Sequence, residues 1–509
     1  MATELEYRAS IKVKNKLLVY FLLSVGILSL MPSIFAKQIE PIHFLQPYWP
    51  SKMSGDPTGI VYVGDWDIFQ NLYSTLVEMA TAKAVKPALA ERWTQSADGK
   101  RWVFYLRKNL HWSDGAPLTT EQVAASLNRT AKGTIHTNLK SYVESIKALP
   151  DYQIEMILKK TPSNFLTLLS FVDCSILHPD AYKGDTFTWD APNSGAFRVI
   201  SYKDTEFELI ANPYYWNNTS DRIQRVIVTK PPLGDSSLRI ATLLNKSWDA
   251  SQVDAGIIEN DEQIKKLKEK YDVFMSNPDF NFCIFFSKKR TKNGTLNPQI
   301  RSYLLKSIYN SFWAENKTNP LRAVGLRIPK SKGAITVQEF DKIFSNLKDY
   351  TPKNLKKLPR RLEILLTKRA FNKSNTQKFY KILESLNFEV KSILKGGPEL
   401  EKMQIDGDFD LYVSFSGVSE DDPDTAWRYY NKDFAEPVAT VEELDKAQLE
   451  TDAAKRNQIY QEFEKRAIER ALFIPLKYEP TYIVTSKRVV LDTTLAADWG
   501  LQLFKLRMR

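Results

Sequence analysis

The stretch "SFSGVSEDDPDTAWRYY", Ser414–Tyr430, holds a dense set of side chains able to do chemistry. Glu420, Asp421, Asp422 and Asp424 surround Pro423, and Trp427, Tyr429 and Tyr430 follow. Carboxylates grouped in this way can hold a cation away from water, where leaving it unpaired costs on the order of several kcal/mol. Rigid amphipathic rings beside them suit a cleft that must grip varied side chains. The other reading is an exposed acidic loop whose turn is set by Pro423. The residues alone leave both open.

Residue types used in catalysis are present but not arranged for it. His43, His111, His136 and His178 are scattered, with no His-x-x-x-His pair, and there is no Gly-x-Ser-x-Gly elbow or Gly-x-x-x-x-Gly-Lys loop. "DGDFD" (Asp406–Asp410) alternates carboxylates like the start of a calcium loop, but its sixth position is Leu411 where the turn demands Gly. Cys174 and Cys283 are the only cysteines, too few and too far apart for zinc; they can form one disulfide or remain two buried thiols. The chain is therefore expected to be no enzyme and to carry neither metal nor cofactor. A triad assembled only in space would make it an exported hydrolase instead.

The elements that must position these residues are legible from pattern. In "SADGKRWVFYLRKNLHWSDGAPLTTEQVAASLNRT", Trp102, Phe104 and Leu106 alternate with Arg101, Val103 and Tyr105, which predicts a half-buried strand. Asp98-Gly99 and Asp114-Gly115 mark turns on either side. Thr119 with Gln122 predicts a capping box, Leu118 with Val123 a hydrophobic staple, and a helix to about Asn128 follows. Arg360–Leu394 reads as strand, helix, strand, with Phe379, Ile382 and Leu386 on one side of the helix. "FDLYVSFSG" is a strand leading into the acidic stretch. "AAKRNQIYQEFEKRAIERA" carries Ile459, Phe463, Ala467 and Ala471 at helical spacing, and "LFIPLKYEPTYIVTS" returns as strands.

The first residues are not part of this pattern. Lys12, Lys14 and Lys16 precede the uncharged run Leu17–Met31, and "PSIFA" offers Ala36 for cleavage. That is the form of a secretory signal, residues 1–36, and no cysteine follows it for lipid attachment. The 509-residue chain is 43% hydrophobic and 12% aromatic, as globular proteins are, and its length suggests about three domains. The net charge of +11 includes +2 from residues 1–36, which leaves +9. The densest basic stretch, "PKNLKKLPRRLE", is broken by two prolines and adjoins a strand, so a solvated loop is expected rather than a nucleic-acid surface.

Several segments in order resemble the extracellular solute-binding protein family 5. They are "NLYSTLVEM" (Asn71–Met79), "VKPALAERWTQSADGKRWVFYLRKNLHWSDGAPLTTEQVAASLNR" (Val85–Arg129), "NSGAFRVISY" (Asn193–Tyr202) and "IANPYYW" (Ile210–Trp216). The resemblance implies a mixed α/β, two-lobed periplasmic-binding-protein fold with a hinge crossed twice and three domains. Domain I would be discontinuous, at 37–80, 193–278 and 480–509; domain II would be the insertion 81–192, and domain III 279–479. It also implies a monomeric, exported, periplasmic binding protein that delivers a peptide or peptide-sized solute to the membrane permease of an ABC importer.

In peptide-binding members the pattern Gly-Trp-x-x-Asp-x-x-[DE]-Pro supplies an Asp for the peptide's α-amino group and a Trp beside it. Alignment on Pro423 puts Ser419 at that Asp and Ser416 at that Trp, while Asp422 keeps the acidic residue before Pro. Either Glu420 or Asp421 takes over the amine, or the ligand is a non-peptide solute such as an opine, an oligosaccharide or a metal chelate. The expected ligand contacts are therefore Ser416, Ser419, Glu420, Asp421, Trp427, Tyr429 and, near the hinge, Phe285. Arg301, in "LNPQIRSYLLKSIY", is expected to be structural.

Overall fold

A ten-stranded sheet organises the computed structural model, which describes residues 40–509 apart from 47–55, 60–62, 82–83, 134–138, 183–186, 189, 231–235, 255–260, 330, 368–373, 396, 418–422 and 492–502. The chain divides into Met1–Pro41 and Ile42–Arg509, and the elements described belong to the second unit. The secretory signal expected at 1–36 lies outside the described residues. No helix among the described residues is long and apolar enough to cross a membrane.

The strands are β1 (Ile42–Leu45), β2 (Val77–Thr81), β3 (Ala84–Pro87), β4 (Ala90–Gln95), β5 (Arg101–Leu106), β6 (Val143–Leu149), β7 (Gln153–Leu158), β8 (Phe197–Lys203), β9 (Glu206–Ala211), β10 (Arg225–Thr229), β11 (Ala250–Asp254), β12 (Asp272–Phe286), β13 (Arg361–Thr367), β14 (Glu389–Lys395), β15 (Leu411–Gly417), β16 (Phe473–Thr485), β17 (Val489–Leu491) and β18 (Leu506–Met508). The main sheet runs β14-β13-β15-β12-β16-β11-β1-β10-β9-β8. The helices that matter to the site are α1 (Val63–Leu72), α2 (Thr120–Thr130), α3 (Pro298–Phe312), α4 (Ser374–Ser385), α5 (Pro423–Asp433), α6 (Val441–Leu449) and α7 (Ala453–Glu469).

The segment that read as turn, strand, turn and helix builds a separate four-stranded sheet, β4-β5-β7-β6, with its own core. Gly99 and Gly115 both have positive φ, +73° and +89°, which only a residue without Cβ adopts cheaply at these turns. Trp102, Phe104 and Leu106 are buried as the alternation predicts. Val103, on the opposite face, is buried as well, because β5 is an inner strand shielded by β4 and β7. The capping box forms: Gln122 N–H donates to Thr119 Oγ1 at 3.3 Å and Thr119 N–H donates to Gln122 Oε1 at 2.9 Å. Helix α2 continues to Thr130, two residues past the predicted end.

Two long strands join the halves of the main sheet. One end of β16 pairs with β11, and β12 pairs with β15 at its far end; between them β12 and β16 run antiparallel to each other. Their register breaks on both sides of Pro278, which faces Pro480. Two prolines and the bulges remove ladder hydrogen bonds there, so the sheet is thinnest where the halves meet. The segment boundaries expected at 278/279 and 479/480 fall in this stretch of β12 and β16. One half has its core around Ile42, Phe197 and Phe207, the other around Phe282, Leu304 and Trp427. Cys174 lies in the core of the small sheet and Cys283 in that of the second half; they are two buried thiols in separate cores and form no disulfide with each other.

In the second half β13, α4 and β14 form the expected unit, with β13 and β14 parallel and Phe379 and Ile382 buried between helix and sheet. Leu386 packs just beyond the helix end. On α7, Phe463 and Ala467 are buried, while Ala471 closes the stripe beyond the helix in a left-handed conformation (φ +47°). The returning strands are a single 13-residue strand, β16. Most of the basic stretch Pro352–Arg361 is exposed.

Candidate functional site

The strand order creates two places where the chain leaves a central strand in opposite directions. In the first half β1 has β10 on one side and β11 on the other, both parallel to it. In the second half β13 lies between β14 and β15, again both parallel. At such switch points the connections diverge and open a crevice outside the carboxyl ends of the strands, where open α/β sheets bind ligands.

The registers aim both crevices at one spot. Strand β11 ends at Asp254 opposite Thr481 of β16. Strand β15 ends at Gly417 opposite Phe280 of β12, which itself faces Glu479 of β16. The carboxyl ends from the two halves therefore converge within about two residues of the Pro278–Pro480 crossing. The connections after β1, β10, β11, β13, β14 and β15 all include residues outside those described.

Buried polar side chains lie next to the end of β1 and on the hinge strand β16. Gln46, immediately after β1, donates its amide to Asp67 Oδ2 at 3.0 Å. Asp67, on α1, is only 5% exposed, and burial pushes its carboxyl up to about 8, the Gln46 bond opposing only part of that shift. One turn on, Asn71 donates to the Asp67 carbonyl at 2.6 Å, while its own Oδ1 is buried without a partner among the described residues. On the hinge strand, the buried Glu479 accepts a hydrogen bond from Asn375 at the start of α4.

In the second half, the backbone at Gly325–Arg327 and at Ile335 is pinned by side chains of three elements. Glu464 of α7 accepts from the backbone N–H groups of Leu326 (2.6 Å), Arg327 (3.1 Å) and Ile335 (3.1 Å). Burial raises its carboxyl to about 7 against those bonds and the nearby Arg327. Tyr478 donates to the Arg327 carbonyl at 2.6 Å, and Asn281 donates to the Gly325 carbonyl at 2.8 Å. Nowhere in this set do a nucleophile and a base share a hydrogen bond, and among the described residues no group of three His, Cys, Asp or Glu is placed to hold a metal. The arrangement can orient and desolvate a ligand.

The site residues expected from sequence fall in three places. Ser419, Glu420 and Asp421 lie outside the described residues. Ser416 is on β15 in register with Asn281, and Tyr429 is on α5. Trp427 and Phe285 are each about 1% exposed and share the second half's core: Phe434 lies 6.1 Å from the Trp427 ring and 5.7 Å from Phe285, and Phe463 meets Trp427 edge-on at 5.8 Å. Trp427 Nε1 is buried without a partner among the described residues. The structure thus brings Trp427 and Phe285 together, but as packing in this conformation. Arg301 is structural as expected. Its guanidinium donates to the carbonyls of Ala471 (3.1 Å) and Leu296 (3.2 Å) and to Glu436 (2.6 Å), which fastens α3 to the end of α7.

Sequence reasoning missed Asp67, Glu464 and Glu479. Glu464 had a signal: it stands on the α7 face that carries Tyr460 and Ala467, a charge within an apolar stripe. Glu479 was likewise a lone carboxylate inside an apolar strand run. Asp67 had none.

Sheet order, hinge and facing crevices define the class, a two-lobed periplasmic-binding-protein fold. A sequence model for bacterial extracellular solute-binding proteins, family 5 (middle region), matches residues 84–301. The periplasmic oligopeptide-binding protein OppA of Salmonella typhimurium is 28% identical over 196 residues, 34% of this chain, and the match spans only 36% of OppA. The probable deoxycholate-binding periplasmic protein YgiS of Escherichia coli is 24% identical over 81% of this chain and 83% of its own. Among solved structures, NikA from Brucella suis in complex with Fe(III)-EDTA superposes with a TM-score of 0.74 at 18% identity, covering 92% of this chain and all of NikA. Residues 84–301 of this chain thus resemble the family 5 solute-binding proteins, and the chain shares their fold along most of its length.

Proposed function

We propose that this chain is the exported, monomeric binding component of an ABC importer. It captures a peptide or peptide-sized polar solute in the crevice between the lobes, closes about the β12–β16 hinge and presents the closed form to a membrane permease. The observation that carries this reading is the convergence of strand ends from two switch points on one hinge. A ligand bound there touches both halves at once, and such differential contact is what shifts an open–closed equilibrium. Ser416, Ser419, Glu420, Asp421, Trp427, Tyr429 and Phe285 are the proposed ligand contacts, with Glu420 or Asp421 meeting an ammonium group. The reading contains no catalytic step.

A second reading, a non-peptide solute, is favoured by Ser416 and Ser419, which remove the amine-holding Asp and its Trp. YgiS and NikA carry non-peptide ligands in their names or complexes. Mass spectrometry of compounds released by denaturing purified residues 37–509 separates the two. Mixed short peptides support the first reading, and one non-peptide compound replaces it with the second. An empty protein whose melting temperature no peptide pool or solute library moves would overturn both.

A further inference from the structure

Far from the hinge in sequence, the small sheet and the second lobe meet at Gln448, near the end of α6 and 3% exposed. Its backbone carbonyl accepts from Ser163 N–H (3.2 Å) and Ser163 Oγ (3.0 Å). Its side-chain Oε1 accepts from Tyr142 O–H (2.6 Å) and from Arg428 Nη2 (3.0 Å). Tyr142 and Ser163 belong to the small-sheet region, 306 and 285 residues away in sequence. Arg428 continues the chain of bonds within α5: Nε reaches Asp424 Oδ2 at 2.8 Å, and Nη2 reaches Asp445 Oδ1 of α6 at 2.8 Å. Tyr460 of α7 donates to the other oxygen of Asp424, also at 2.8 Å.

From this geometry we infer that Gln448 is a positioning residue: it latches the small sheet to α5 and α6, so that closure of the crevice and the position of α5 are one event. Asp424 is the second residue of α5, directly after Pro423. Arg428, between two carboxylates, polarises the Gln448 amide that receives the Tyr142 hydroxyl, and bonds in such a buried chain strengthen one another. Both acceptor sites of Oε1 are filled, one from each lobe. When the lobes part, the Tyr142 and Ser163 bonds break while those to Arg428 remain on α5 and α6. In the open state water takes the place of those partners, so the latch favours the closed state only by the net gain of its hydrogen bonds, before any ligand arrives.

This inference deepens the solute-binding reading and rests on it, but it is tested without ligand. Spin labels on Lys147→Cys in the small sheet and Glu442→Cys on α6 would report the interlobe distance in residues 37–509, stripped by denaturation and refolded. Tyr142→Phe, which removes one oxygen, and Gln448→Ala should each raise the ratio of long- to short-distance populations about fivefold, the net effect of one buried hydrogen bond. The double variant should do little more than Gln448→Ala, because both remove the same bond. Unchanged distances in both single variants would overturn the latch, and a lowered melting temperature alone would then mark the contact as packing. Absence of any ligand in the parent protein would count against the solute-binding reading and leave the distance result standing.

Discussion

Asp67 and Glu464 are both carboxyls pushed up by burial, yet neutralising them should have opposite effects. Between about pH 4 and pH 8 native Asp67 keeps a proton that the unfolded chain has lost, so its contribution makes stability fall as pH rises through that window. Asp67→Asn keeps an acceptor for the Gln46 amide and removes the titration. It should stabilise the protein by about 1–3 kcal/mol at pH 8 and change little at pH 4. Urea melts at the two pH values check this, and an identical pH dependence in the variant would refute it. Glu464 differs because both its oxygens are engaged by backbone N–H groups. Glu464→Gln turns an NH2 toward one of those donors and should cost about 2–4 kcal/mol at neutral pH.

At the scale of elements, the motifs that betray the family are mostly construction. Thr119 closes a capping box, and Thr119→Ala should cost about 1 kcal/mol in denaturant melts. Gly195, in "NSGAF", allows a closer approach than any other residue could. A Cβ there would sit 2.3 Å from the Leu72 carbonyl carbon, in a contact where Gly195 N–H donates to Leu72 O at 2.9 Å. Gly195→Ala should cost about 3 kcal/mol, since the clash is with backbone that cannot rotate away. A variant that melts like the parent would show that the strand shifts freely there. Elements of this kind were legible because capping, turns and hydrophobic period act within a few residues of one another. The burial of Val103 was not, because it also depends on β7, whose Glu155 pairs with it from a distant part of the sequence.

For the whole molecule, the decisive feature is the pair of strands that cross between lobes. If the crevice binds a solute as proposed, a saturating ligand at 100 times its Kd should add about 2.7 kcal/mol to unfolding stability, as any native-state ligand does. Small-angle scattering should show a smaller radius of gyration with that ligand than without it. Stabilisation with no compaction would keep the binding and discard hinge closure. On that proposal, the identity of the residues at 416 and 419–421 would set what is bound, on a scaffold shared with relatives of different ligand.

The sequence by itself determined the family resemblance and, through it, the fold. Turn glycines, capping boxes, alternating strands and the Asn-Pro-x-Tyr-Trp segment are local rules in fixed order, and no contact map is needed to read them. It also determined the departure at Ser416 and Ser419, a matter of residue identity. Only the tertiary structure decided which side chains share a site. It placed Trp427 and Phe285 in one core and Asp67 beside Gln46. It fixed Glu464 against backbone more than 120 residues away, and joined Tyr142 to Gln448, 306 residues apart. Burial and hydrogen bonding between such distant segments depend on sheet order and register, which no period or short motif encodes.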